Sequence, residues 1–157
     1  MKAAALIAAG QWEASMSMQA MLMPVFAQVA LTFVLLFWMQ FSRMRAIRQG
    51  QVPAHSIALR EPNWPPRVTQ IGNAYHNQLE TPLLFYVLIL LALVTSTADS
   101  ILFVLSWLFV ASRFVHAYIH LTSNRIDRRA PVFLVGAIGL ALMWIIVAAR
   151  LTIAFTG

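Results

Sequence analysis

The chain contains no cysteine. It therefore forms no disulfide, offers no cysteine nucleophile and gives no thiolate to a metal. Any thiol chemistry must use a sulfur carried in by a small molecule. Charge is also scarce: 10% of the residues are charged, five acidic against eleven basic. What fills the space is apolar. Hydrophobic residues make up 61% of the 157, and the mean hydropathy is +0.75. That composition belongs to membrane proteins rather than soluble domains. The basic excess gives a formal charge of +6 and a pI of about 11.2. In a soluble protein it would suggest nucleic acid. Here the arginines sit in two connectors between apolar runs, and no basic face with aromatic platforms accompanies them, so nucleic acid is set aside.

The length fits one domain, 1–157. Residues 1–17 hold one lysine and a brief apolar run without a convincing cleavage site. They read as an uncleaved start lying in the membrane interface, with Trp12 as an anchor. A first span is expected over 18–41, which carries no charge. Residues 42–66 form a basic connector with Arg43, Arg45, Arg48 and Arg60 against Glu61, broken by Gly50 and four prolines. A second span covers 78–97, its helix beginning near Arg67. Pro82 either kinks that helix or opens it after a Thr81 cap; the helical spacing of Asn73, Asn77 and Glu80 favours the kink. After the turn at 96–100 come a third span, 101–121, a second basic loop, 122–130, and a fourth span, 131–155. Gly136, Ala137, Gly139 and Ala141 give that last span a small-residue face. Arg150 is expected to snorkel to the interface. The fold class is an all-α membrane protein, a bundle of four transmembrane helices. Both basic connectors fall on one side, which the positive-inside rule makes cytoplasmic. Both termini are then non-cytoplasmic, as in a multi-pass inner-membrane protein.

Two polar stripes interrupt the apolar runs. One is Asn73, Asn77 and Glu80, with His76 beside it. The other is Arg113, His116, His120 and then Asn124. Offsets of three, four and seven residues return to one helix face. The short turn at Ala98 makes spans two and three antiparallel, and Glu80 and His116 are equally far from it. Asn77 falls one position from the level of His120, Asn73 falls near Ser123 and Asn124, and Arg113 lies a turn deeper than Glu80. Ionisable groups at such depth mark a site or a paired lock. Three readings stay open. The first is a structural Glu80–Arg113 ion pair with supporting hydrogen bonds. The second is a binding site for a polar molecule. The third is a metal held by Glu80, His116 and His120. Arg113 would repel a cation, and the third span lacks the glutamate of a zinc-protease helix, so no metal is expected.

These residues resemble the MAPEG family, the membrane-associated proteins in eicosanoid and glutathione metabolism, as a divergent member of bacterial type. The resemblance rests on Asn77 and Glu80 with a proline just after, on Arg113 and His116, on Arg43 and Arg45 closing the first span, and on Arg129-Ala130-Pro131. It implies a homotrimer with glutathione as cofactor between subunits, and a glutathione- or thiol-dependent transferase or peroxidase acting on a lipophilic small molecule. It also implies a binding set of Arg43, Asn73, Asn77, Glu80, Arg113, His116 and His120. Arginines would hold the carboxylates of glutathione and Glu80 its amine. Arg128 or Arg129 would stabilise the thiolate. Where glutathione-handling members carry arginines before the asparagine, this chain has Gln70 and Asn73, and where they commonly carry tyrosine it has His120. The alternative is a non-catalytic membrane protein whose polar cluster binds a lipid headgroup or another anion, or only holds the assembly together.

Overall fold

The computed structural model describes residues 18–58 and 63–156, so the expected interfacial start at 1–17 lies outside it. Among the described residues the regular structure is helical, and four stretches are long and apolar enough to cross a membrane. The protein is a multi-pass integral membrane protein, and its environment is the lipid bilayer.

Helix α1 runs Met18–Arg48. Its absence of charge up to Phe41 suits it to hydrocarbon. Arg45 and Arg48 in its last turn complement the helix dipole. Gly50, at φ +68°, ends it. The Gly50 amide donates to Ile47 O and the Gln51 amide to Ala46 O, both at 3.0 Å, a paired closure that needs a left-handed residue. The connector then folds back. A short 3-10 turn spans Ala54–Ile57, and Val52, Ala46 and Val68 form a small cluster with Ile47, Ile57 and Trp64.

Helix α2 is Pro66–His76 and α3 is Thr81–Val94. The expected single kinked helix is therefore two helices separated by a break. The Gln78 and Leu79 amides bond Tyr75 O and His76 O, tightening the last turn, and Glu80 leaves helical geometry at φ −93°, ψ −99°. Pro82, having no N–H, cannot bridge such a gap, and it lies in the first turn of α3, where that lack costs least. Glu80, rather than Thr81, occupies the cap position.

Helix α4 is Ser100–Leu121, capped by the Asp99 carboxylate accepting from Leu102 N at 3.0 Å. Helix α5 is Ile126–Thr156. It begins before the expected Pro131, with Asp127 in its first turn. Arg128 and Arg129 thus stand on a helix rather than in a loop, and Pro131 lies inside it.

The core runs along the bundle through Phe85, Leu88, Ile89, Phe109 and Met143, with the Phe85 and Phe109 rings stacked at 4.8 Å. Helices α4 and α5 are in tight contact where Gly136 meets Ser112: a Cβ at 136 would lie 2.2 Å from Ser112 Oγ. Gly139, though buried, has nothing within 4 Å of the corresponding point, so only Gly136 of the two is sterically required to lack a side chain. Phe26, Phe33, Phe37 and Phe41 project outward from α1, as lipid-facing residues do.

Side chains fasten both ends. At one end Arg67 donates to Leu121 O, and Gln70 to His120 O at 2.6 Å. This brings the start of α2 and the end of α4 together, so both basic connectors share that end. At the other end Arg150 reaches Thr97 O at 2.8 Å and the Asp99 carboxylate at 2.5 Å. The expectation that Arg150 snorkels gives way to an interhelical ion pair, because the turn before α4 offers a carboxylate and a carbonyl at its level.

Candidate functional site

The basic end of α4 is polar on its inner face because Arg113, His116 and His120 recur at helical spacing. All three are buried, Arg113 at 1% exposure. The broken helix gives them partners. Asn77 closes α2, and its amide nitrogen lies 3.2 Å from His120 Nδ1. Its carbonyl, with no helical donor following it across the break, accepts from Arg113 Nη2 at 2.8 Å. Across the cluster stands Phe133 of α5. Its ring lies 5.5 Å from the Arg113 guanidinium and 5.7 Å from the His116 ring. A cation over an aromatic face gains electrostatic stabilisation.

The expected Glu80–Arg113 pairing is not formed. Glu80 is exposed, and the ion pairs among the described residues are Arg125–Asp127 and Arg150–Asp99. The physical reason is the helix break: it frees a neutral carbonyl at the depth of Arg113, so the buried cation is held without a carboxylate. Glu80 remains within electrostatic reach of Arg113. Two buried polar atoms of the cluster, Arg113 Nε and His116 Nδ1, have no hydrogen-bond partner among the described residues.

The remaining predicted residues are more dispersed. Arg129, half-buried, donates to Asn124 Oδ1 at 2.7 Å and stands within electrostatic reach of both histidines. Arg128 and Asn73 are exposed. Arg43 lies over the Trp64 ring at 5.1 Å and beside Gly72, at the α1–α2 junction. Among the described residues no group of three or more His, Asp or Glu is arranged to hold a metal.

Sequence reasoning missed five contributors. Phe133 looked like any apolar residue of a span. Arg67 and Gln70 tie α2 to the end of α4, and only their position at the start of a helix hinted at it. Gln28 and Gln78 form a fully buried amide pair at 2.9 Å between α1 and the helix break; an amide in the middle of a charge-free span was its signal.

The order of these elements decides the family. The MAPEG family model matches residues 21–149, most of the chain and all four spans. The chain belongs to the MAPEG family. Neither curated proteins nor solved structures yielded a match. Asn77 of this MAPEG protein meets both Arg113 and His120, with His116 between them on α4, while its exposed Glu80 forms no ion pair among the described residues.

Proposed function

We propose that this protein binds glutathione, or an anionic thiol of the same class, at the basic end of the bundle and directs its sulfur at a lipophilic substrate drawn from the bilayer. The observation that carries the reading is Arg113: a buried guanidinium whose hydrogen-bonded partner is a neutral carbonyl. Glu80 acts on it only through its field, without a direct ion pair; a buried cation lacking a bonded anion is costly, and an anionic ligand would relieve it. The residues present fit such a ligand. Arg113 Nε and His116 Nδ1 are buried polar atoms lacking partners among the described residues, and the exposed Glu80 carboxylate, in no ion pair among them, could accept from an amine. Arg113, and Arg43 from a neighbouring subunit, would hold carboxylates through charge-assisted bonds. Asn77 would keep His120 oriented. Glutathione, when bound, supplies the thiol that this cysteine-free chain lacks. Arg129, with Arg128 beside it on the first turn of α5, would favour the ionised form of that sulfur. A homotrimer would close the flank that a single bundle leaves to lipid.

The test is calorimetry of the protein in lipid nanodiscs with glutathione, joined to a thiolate absorbance titration. Glu80→Gln should weaken binding about tenfold or more, the size of a lost charge-assisted bond. Arg129→Gln should reduce the thiolate signal more than the binding. Absence of glutathione affinity at millimolar concentration sinks the transferase reading.

A second reading has its own support. Gln70 and Asn77 already spend their amides on His120, so part of the polar stripe is satisfied within the fold. That favours a non-catalytic pocket for a headgroup or other anion. Anion binding that weakens with salt, without glutathione affinity, would select it.

A further inference from the structure

A second basic concavity lies apart from the Arg113 cluster, between the end of α1 and the start of α2. It is a cleft of about 340 Å³ whose walls include Trp38, Ser42, Arg45, Gln49, Gln51 and Arg67. No carboxylate is among its described lining residues. Arg67 is held in place: it donates to Leu121 O and Gln70 Oε1 through Nη1, and its guanidinium lies 5.8 Å from the centre of the Trp38 ring. Its Nη2 and Nε make no hydrogen bond among the described residues. Arg45 is exposed, and its side chain has no partner among them either. Gln51 donates to Gln49 Oε1 at 3.0 Å, which leaves the Gln49 amide nitrogen available.

The depth of this cleft is set by α1. The charge-free stretch from Met18 to Phe41 is about 36 Å long at helical rise, somewhat more than the roughly 30 Å of bilayer hydrocarbon. Trp38 therefore stands at the hydrocarbon edge, where indole rings settle, and Ser42, Arg45 and Gln49 stand at headgroup level. Guanidinium groups match phosphate oxygens by a planar fork of donors. We infer that the Arg45–Arg67 cleft binds the phosphate of an anionic phospholipid, with the Trp38 face against the glycerol and acyl start of the same lipid. The bound lipid would bridge the first helix to the second at the level where the connector between them returns.

The experiment is native mass spectrometry of the full chain released from detergent, titrated separately with phosphatidylglycerol, phosphatidylcholine and inorganic phosphate. Phosphatidylglycerol should be retained in preference to phosphatidylcholine. Arg45→Gln should weaken that retention about five- to tenfold. Arg67→Gln should do the same, but Arg67 also ties α2 to α4, so Arg45→Gln is the deciding variant. Arg48→Gln, an exposed arginine outside the cleft, is the control and should leave retention unchanged. Equal retention of both lipids, or equal loss in Arg45→Gln and Arg48→Gln, overturns the assignment. Inorganic phosphate that displaces the lipid at comparable concentration also overturns it, in favour of a soluble phosphate ligand.

Discussion

Ser112 of α4 and Gly136 of α5 pack directly against each other, and the contact is steric. Gly136→Ala would bring its new methyl to 2.2 Å from Ser112 Oγ and 3.3 Å from Ser112 Cβ. Since Ser112 also donates to Phe109 O at 2.6 Å, its hydroxyl has little room to turn. The substitution should destabilise the protein by about 1–3 kcal/mol, as overpacking does. Adding Ser112→Ala should recover part of that loss, since it removes the nearer atom; thermal unfolding of the single and double variants in detergent measures both. At this scale the sequence was partly legible. Counting outward from Ala98 put Asn77 and His120 at one depth, and their side chains meet. The same counting put Glu80 level with His116 and a turn from Arg113, and the Glu80–Arg113 ion pair that this allowed is not among the ion pairs of the described residues. Spacing cannot reveal that a helix will open and offer a carbonyl instead. Arg150 was misread for a similar reason: a lone arginine near a helix end does not announce a capping aspartate 51 residues away.

Between elements, the buried Gln28–Gln78 pair couples α1 to the break between α2 and α3. Gln78 Nε2 also reaches Ala74 O at 3.2 Å, so one side chain serves both the partner helix and the frayed end of its own. Gln78→Leu leaves Gln28 without its acceptor, and Gln28→Leu strands Gln78 in the same way. Each single change should cost about 1–2 kcal/mol, and the double change less than the sum, because a buried polar group left alone is worse than none. A double-mutant cycle by denaturant titration reads this directly; strict additivity would mean that the two amides act independently. The turn between α3 and α4 gives an acid-sensitive counterpart. Burial raises the Asp99 carboxyl, but hydrogen bonds from Arg150 and the Leu102 amide outweigh it and hold the pKa below the usual carboxylate value. A depressed folded-state pKa adds stability above the unfolded value, and that stability is lost as pH falls through the folded one. Unfolding midpoints should therefore drop below about pH 4 in the wild type. Asp99→Asn should be less stable at neutral pH and lose that part of the acid response.

For the whole molecule, the shared end of the two basic connectors carries a topological expectation. That end should face the cytoplasm, with both termini on the other side. The natural absence of cysteine makes single-cysteine labelling clean. Ser123→Cys should react from the cytoplasmic side and Ser100→Cys from the opposite one, and the reverse pattern would invert the orientation. The four spans were legible because hydrocarbon demands long apolar helices. The helix break was legible only as an alternative, because Pro82 suits both a kink and a first turn, and the early start of α5 was not, because Pro131 reads in the sequence as its opening. The fastenings along α4 have a mechanical consequence. Arg150 grips its cap at one end, Arg113 reaches Asn77 O part-way along, and Arg67 and Gln70 hold its last carbonyls at the other. Sliding α4 along its axis by one residue, about 1.5 Å, would strain the fastenings at all three levels together. A piston stroke of that helix would therefore work against all of these bonds at once.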